Sequence, residues 1–220
     1  PGDSEGPCLH TCTRSGVLAA ILAAAIAART PLPHGVSGPS IPRLKFAANM
    51  PITPFHFGPG ALIKAAAPRH VSWTAFALAN GLIDLEPILL FLFTGEPAHR
   101  FFHTFPGATL AALAAAWPGR IACEAWLRFW NRQLSPAQAR WLGCPATITS
   151  KQALVGALLG AWSHLALDMA MHVDVRPLWP VIETNPWHGW MSVDGLHMLC
   201  IASGLAALVV WGAMKAVRRK

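Results

Sequence analysis

The chain has 220 residues, 54% of them hydrophobic and only 12% charged, with a positive mean hydropathy of +0.41. Soluble domains carry about twice that share of charge. The net charge of +7 is scattered over connecting segments rather than gathered on one element, which argues against nucleic-acid binding. Ten Trp and no Tyr suit the interfacial belts of a membrane protein. The five cysteines (Cys8, Cys12, Cys123, Cys144 and Cys200) have no CxxC spacing and imply neither a disulfide framework nor a zinc knuckle.

In chain order, residues 1–49 read as an N-terminal extension without chemistry, disordered or signal-like. GVLAAILAAAIAA (16–28) falls short of the about 20 residues needed to cross a bilayer, and a Pro/Gly-rich linker follows it. Residues 50–220 read as one membrane-embedded, all-α domain. FGPGALIKAAA (57–67) predicts a half-helix. Longer apolar stretches at 71–94, 104–117, 153–172 and 193–214 predict about four transmembrane spans, the second being short and extending backwards through HRFF. IACEAWLRFWNRQ predicts an interfacial amphipathic helix. Ser135-Pro136 offers an N-cap and first-turn pair for another short helix, and Thr149 to Gln152 a capping box at the start of the third span.

Lys and Arg cluster before the first span, between the second and third, and after the fourth. If these regions share one side, four crossings are self-consistent and the loops near 95–103 and 173–192 lie opposite.

Ionisable groups within a bilayer are costly unless paired or metal-bound, so they default to functional candidates. Asp84 and Glu86 lie in LIDLEP, where Pro87 is expected to break the helix and swing both carboxylates toward one cavity. His99 and His103 in HRFFHT are four apart and would share a helical face, with Arg100 beside them as an anion clamp. His164 and Asp168 repeat that spacing, with His172 and Asp174 toward the outer end. Each residue also has a plainer reading, as a hydrogen-bonded helix contact, an Asp84–Arg100 ion pair or a proton relay. Together they form a metal-site inventory of Asp84, His99, His103, His164 and Asp168, joined by His56 if its segment dips inward. This donor set suits one or two divalent ions, Zn or Mn foremost.

Five motifs in this order (TPFH, LIDLEP, HRFFHT, SHLALD and RPLWP) resemble the YdjM-like group of bacterial inner-membrane-associated, metal-dependent hydrolases, also described as LexA-binding. The resemblance covers about residues 50–210 and implies His56, Asp84, Glu86, His99, His103, His164 and Asp168 as the polar set. Glu86 stands where that family commonly has a second Asp, and His103-Thr104 inverts its Thr-His order. The resemblance also implies a multi-pass protein of the bacterial inner membrane and a repressor-protein partner. The expected function is metal-dependent hydrolysis of a phosphoester or lipid-like substrate, with Glu86 or Asp174 as general base and Arg100 stabilising negative charge. The alternatives are an ion or proton relay and a non-enzymatic membrane scaffold.

Overall fold

The computed structural model describes residues 53–94 and 99–217, and the 1–49 extension lies outside them. The described residues are all-helical, as expected. Seven α-helices follow in order: α1 (Phe57–Ala66), α2 (Trp73–Thr94), α3 (Phe105–Ala116), α4 (Pro118–Gln133), α5 (Pro136–Leu142), α6 (Ser150–Met171) and α7 (Val193–Val217). Short 3-10 turns at Thr53–His56 and Phe101–His103 precede α1 and α3.

Three helices, α2, α6 and α7, are long and apolar enough to cross a membrane. The second expected span forms α3, whose 12 residues make about 18 Å at 1.5 Å per residue, short of a hydrocarbon core. HRFF does not lengthen it. Thr104 caps α3, accepting the Gly107 N–H at 3.0 Å, and the preceding backbone turns away as a 3-10 turn. The half-helix forms as α1, the expected amphipathic helix as α4 and the further short helix as α5. Both expected N-terminal caps are present, Ser135 with Gln138 at α5 and Thr149 with Gln152 at α6.

Small residues set the packing. On α6, Ala153, Gly156, Ala157, Gly160 and Ala161 form one buried face against α2 and α3, and α3 answers with Ala108, Ala111, Ala112 and Ala115. With no hydrophobic drive between helices in lipid, backbones gain contact only by approaching closely, which small side chains allow. At Gly160 a Cβ would lie 2.5 Å from the Phe76 carbonyl oxygen of α2. The same α6 face then continues as His164 and Asp168. The helices touch backbone to backbone at one end and make room for imidazoles at the other.

The basic regions meet at the tightly packed end. The Gln152 amide donates to the Arg69 carbonyl at 2.9 Å, Arg120 donates to Ser150 at 2.8 Å, and Trp141 lies 6.2 Å from Trp211, near Lys215. At the opposite end the 173–192 loop folds over the terminus of α6. Asn185 caps it by donating to the Met169 and His172 carbonyls (2.7 and 2.9 Å), and the Phe105 N–H donates to Pro177.

Candidate metal centre

The helix α2 runs unbroken through Pro87, so the expected swing of both carboxylates into one cavity does not occur. Two positions apart on a regular helix, Asp84 and Glu86 face different neighbours. Asp84 meets α6, its Oδ1 lying 3.2 Å from His164 Nε2. Glu86 meets the Phe101–His103 turn, its Oε2 accepting the Arg100 and Phe102 backbone N–H groups at 3.1 and 3.0 Å.

His99 and His103 are not on a shared α-helical face either. The turn brings their rings together at 4.4 Å all the same, and then separates their company. His103 points inward. Its Nε2 lies 3.2 Å from Asp168 Oδ2, and its Nδ1 lies 3.6 Å from Glu86 Oε2. His99 points to the loop, with Nδ1 3.0 and 3.1 Å from the two Asp174 oxygens and its backbone N–H on the same carboxylate at 3.0 Å.

The structure thus divides the expected residues into two clusters. In the inner one, Asp84, His103, His164 and Asp168 each offer a ligand atom, all within 4.8 Å of one another. His103 and His164 are fully buried and Asp168 nearly so. In the outer one, His99, His172 and Asp174 meet the same criterion nearer the surface. His172, which the sequence placed only toward the outer end of α6, belongs here, its ring 4.4 Å from that of His99.

The inner geometry suits a cation. The Asp168 Oδ2 oxygen lies 3.0 Å from His164 Nε2 and 3.2 Å from His103 Nε2. Yet these buried nitrogens have no aligned hydrogen-bond partner among the described residues. Ligands about 2.0–2.1 Å from a tetrahedral zinc ion stand about 3.3 Å from one another. Close approach without hydrogen-bond alignment is how atoms sit when their lone pairs aim at a common point.

Asn80 escaped the sequence reading, although it sits four residues before Asp84 in an apolar span and so shares its face. Its Nδ2 donates to the Phe76 carbonyl at 2.9 Å, which leaves Oδ1 as acceptor toward His164 Nδ1 at 3.0 Å. This contact puts a proton on His164 Nδ1, so that a neutral His164 keeps its lone pair on Nε2, the tautomer a metal requires. Replacing Asn80 with Ala should weaken metal affinity roughly 10–100-fold, as loss of such partners does elsewhere. A competitive zinc titration checks it, and unchanged affinity would remove Asn80 from the site.

His56 Nδ1 lies 3.2 Å from His164 Nδ1, the protonated atom, and its Nε2 lies 3.4 Å from Asp168 Oδ1. Burial lowers its pKa to about 4, with Asp168 only partly opposing, so the ring is neutral. Its Nδ1 faces a donor, so its own proton belongs on Nε2, toward the carboxylate. His56 stands beside Asp168 and is not one of the four residues whose ligand atoms converge, although its Nε2 too is buried without an aligned hydrogen-bond partner among the described residues. At the outer cluster, burial would raise the Asp174 pKa, but the His99 contacts outweigh it and bring it to about 2. Arg100 has no ion pair among the described residues.

Comparison with protein-family models, curated proteins and solved structures finds no match to this chain.

Proposed function

We propose that the chain is a membrane-embedded, metal-dependent hydrolase acting on a phosphoester presented from the lipid phase, with the bacterial inner membrane as its setting. The buried, converging and hydrogen-bond-orphaned Nε2 atoms of His103 and His164, beside Asp84 and Asp168, carry this reading. The motif resemblance to the YdjM-like hydrolases points the same way.

His103, His164, Asp84 and Asp168 would hold the ion, and His with carboxylate suits Zn or Mn. A divalent ion held there would supply a lowered pKa for bound water and polarisation of a phosphoryl oxygen. The chain's own residues supply positioning. Asn80 sets the His164 tautomer, and His56 faces the outer oxygen of Asp168. Glu86, expected as a general base, has one oxygen committed to two backbone amides, so we assign it the task of holding the turn that carries His103. Arg100, at the end of that turn, is free of ion pairs with described residues and suits an anionic group.

A proton relay finds no support in the fold. Residues 73–83 of α2, all of α3 and residues 152–163 of α6 contain no ionisable side chain, so no chain of titratable groups on these helices leads from His164 to the basic end.

The test uses full-length protein in detergent. Phosphate release from phosphatidic acid micelles and from soluble p-nitrophenyl phosphate is measured before and after chelation and metal return. We expect release that chelation abolishes, that returns with Zn or Mn, and that falls by more than about 100-fold in Asp84→Asn. Metal-loaded protein that cleaves neither substrate would overturn the hydrolase reading.

A further inference from the structure

The outer cluster is not needed by the inner site, which is complete without it. His99 and Asp174 alone would be an ordinary ion pair joining two loops. A third member makes that reading insufficient. The His172 ring lies tilted against that of His99, with centroids 4.4 Å and planes 33° apart, and its nitrogens make no hydrogen bond to a described residue. Two imidazoles and a carboxylate each bring a ligand atom within 4.8 Å of the others. The His172 side chain is 21% exposed and its Nε2 reaches only Asp168, at 4.0 Å, so an imidazole stands beside another imidazole and a carboxylate with its nitrogens open to a ligand.

Asp168 connects the two clusters. Its Oδ2 faces His103 and His164, while its Oδ1 lies on the other side, 3.4 Å from His56 Nε2 and 4.0 Å from His172 Nε2 of the outer cluster. A carboxylate with one oxygen toward each of two imidazole sets has the form of a bridging ligand. The rings of His99 and His103, one from each set, also touch at 4.4 Å.

We infer that the protein holds a second divalent cation, bound by His99, His172 and Asp174 and linked to the inner ion through Asp168. This deepens the hydrolase reading and depends on the inner site for its bridge. The two positions differ in exposure. Asp174 is 47% exposed at its side chain, whereas Asp168 is 3% exposed. The outer ion should therefore bind more weakly, exchange faster, and be the one a substrate phosphate meets first. In two-ion hydrolytic sites one ion binds the attacking oxygen and the other the leaving oxygen, with the pair about 3.5–4 Å apart.

The experiment is metal uptake by full-length protein in detergent, with Zn and Mn as probes and elemental analysis after gel filtration. The wild type should take up about two ions per chain, and His172→Ala and Asp174→Asn about one each. Mn-loaded wild type should show an exchange-coupled paramagnetic spectrum that both variants convert to that of an isolated ion. Asp174→Asn lies on an exposed loop and carries the test if His172→Ala does not fold. One ion in the wild type, unchanged in the variants, would overturn the outer site and leave the inner one standing. Two ions in all three proteins would also overturn it. No ion in the wild type would overturn both readings.

Discussion

Asp168→Asn is expected to abolish metal uptake and, with it, all metal-dependent stabilisation. The Asp168 oxygens approach four imidazoles, with His164 and His103 at 3.0 and 3.2 Å from Oδ2 and His56 and His172 at 3.4 and 4.0 Å from Oδ1. An amide of the same shape removes the charge and turns one oxygen into a donor. Whichever way it flips, it presents an NH₂ where a cation or an imidazole donor belongs. Affinity should fall by more than about 100-fold, beyond what loss of an outer partner causes.

Thermal unfolding in detergent gives an independent readout. A ligand at 100 times its Kd stabilises the folded state by about 2.7 kcal/mol, so zinc should raise the wild-type midpoint and leave that of the variant unmoved. An equal zinc-induced rise in both proteins would remove Asp168 from the centre.

Gly107→Ala should be nearly as damaging although no ligand is changed. A Cβ at Gly107 would overlap the Phe101 carbonyl oxygen and crowd the Phe102 backbone. These atoms belong to the turn that carries His103, and that turn cannot retreat freely. On its far side Glu86 accepts its Arg100 and Phe102 amides, and at its end Thr104 both caps α3 and donates to the Phe101 carbonyl at 2.8 Å. The added methyl must therefore either break buried hydrogen bonds or push α3 outward. Overpacking of this kind costs about 1–3 kcal/mol, and the upper end is expected here. Any displacement of the turn moves His103 out of the cluster, so metal affinity should fall together with stability. Gly81→Ala is the control. Nothing lies within 4 Å of its added Cβ, and a helical Gly→Ala exchange there should stabilise by about 0.8–1.0 kcal/mol. Equal behaviour of the two variants would show that the turn is not clamped.

The residue types of the site were legible in the sequence because a bilayer makes ionisable groups conspicuous. Spacing within one helix was also reliable, since His164 and Asp168 do share a face of α6. Spacing failed where it assumed a helix that does not form. His99 and His103 are four apart, but Thr104 caps α3 just after them, so a 3-10 turn directs the two rings to different clusters. Pro87 suggested a break that α2 does not make. It lacks only a donor toward the Ile83 carbonyl, and the helix runs on to Thr94. Asn80 was missed because an uncharged amide in an apolar span attracts no notice. Its importance appears only when His164 of another helix lies against it. The split into two clusters was invisible for the same reason, being set by how α2, α6 and two loops meet.

The alanine and glycine floor beneath His164 has a consequence for supply and disposal. Between the cluster and the basic end, the described stretches 73–83 of α2, all of α3 and 152–163 of α6 carry no ionisable side chain, whereas on the other side Asp174 is 47% exposed and Asp84 20% exposed. An ion, water or substrate headgroup would find its polar partners from that side. The chain would then draw its metal from the compartment opposite the basic loops and release its protons there. If the hydrolase proposal holds, turnover would be uncoupled from the membrane potential, and the protein could work on one leaflet without becoming a leak.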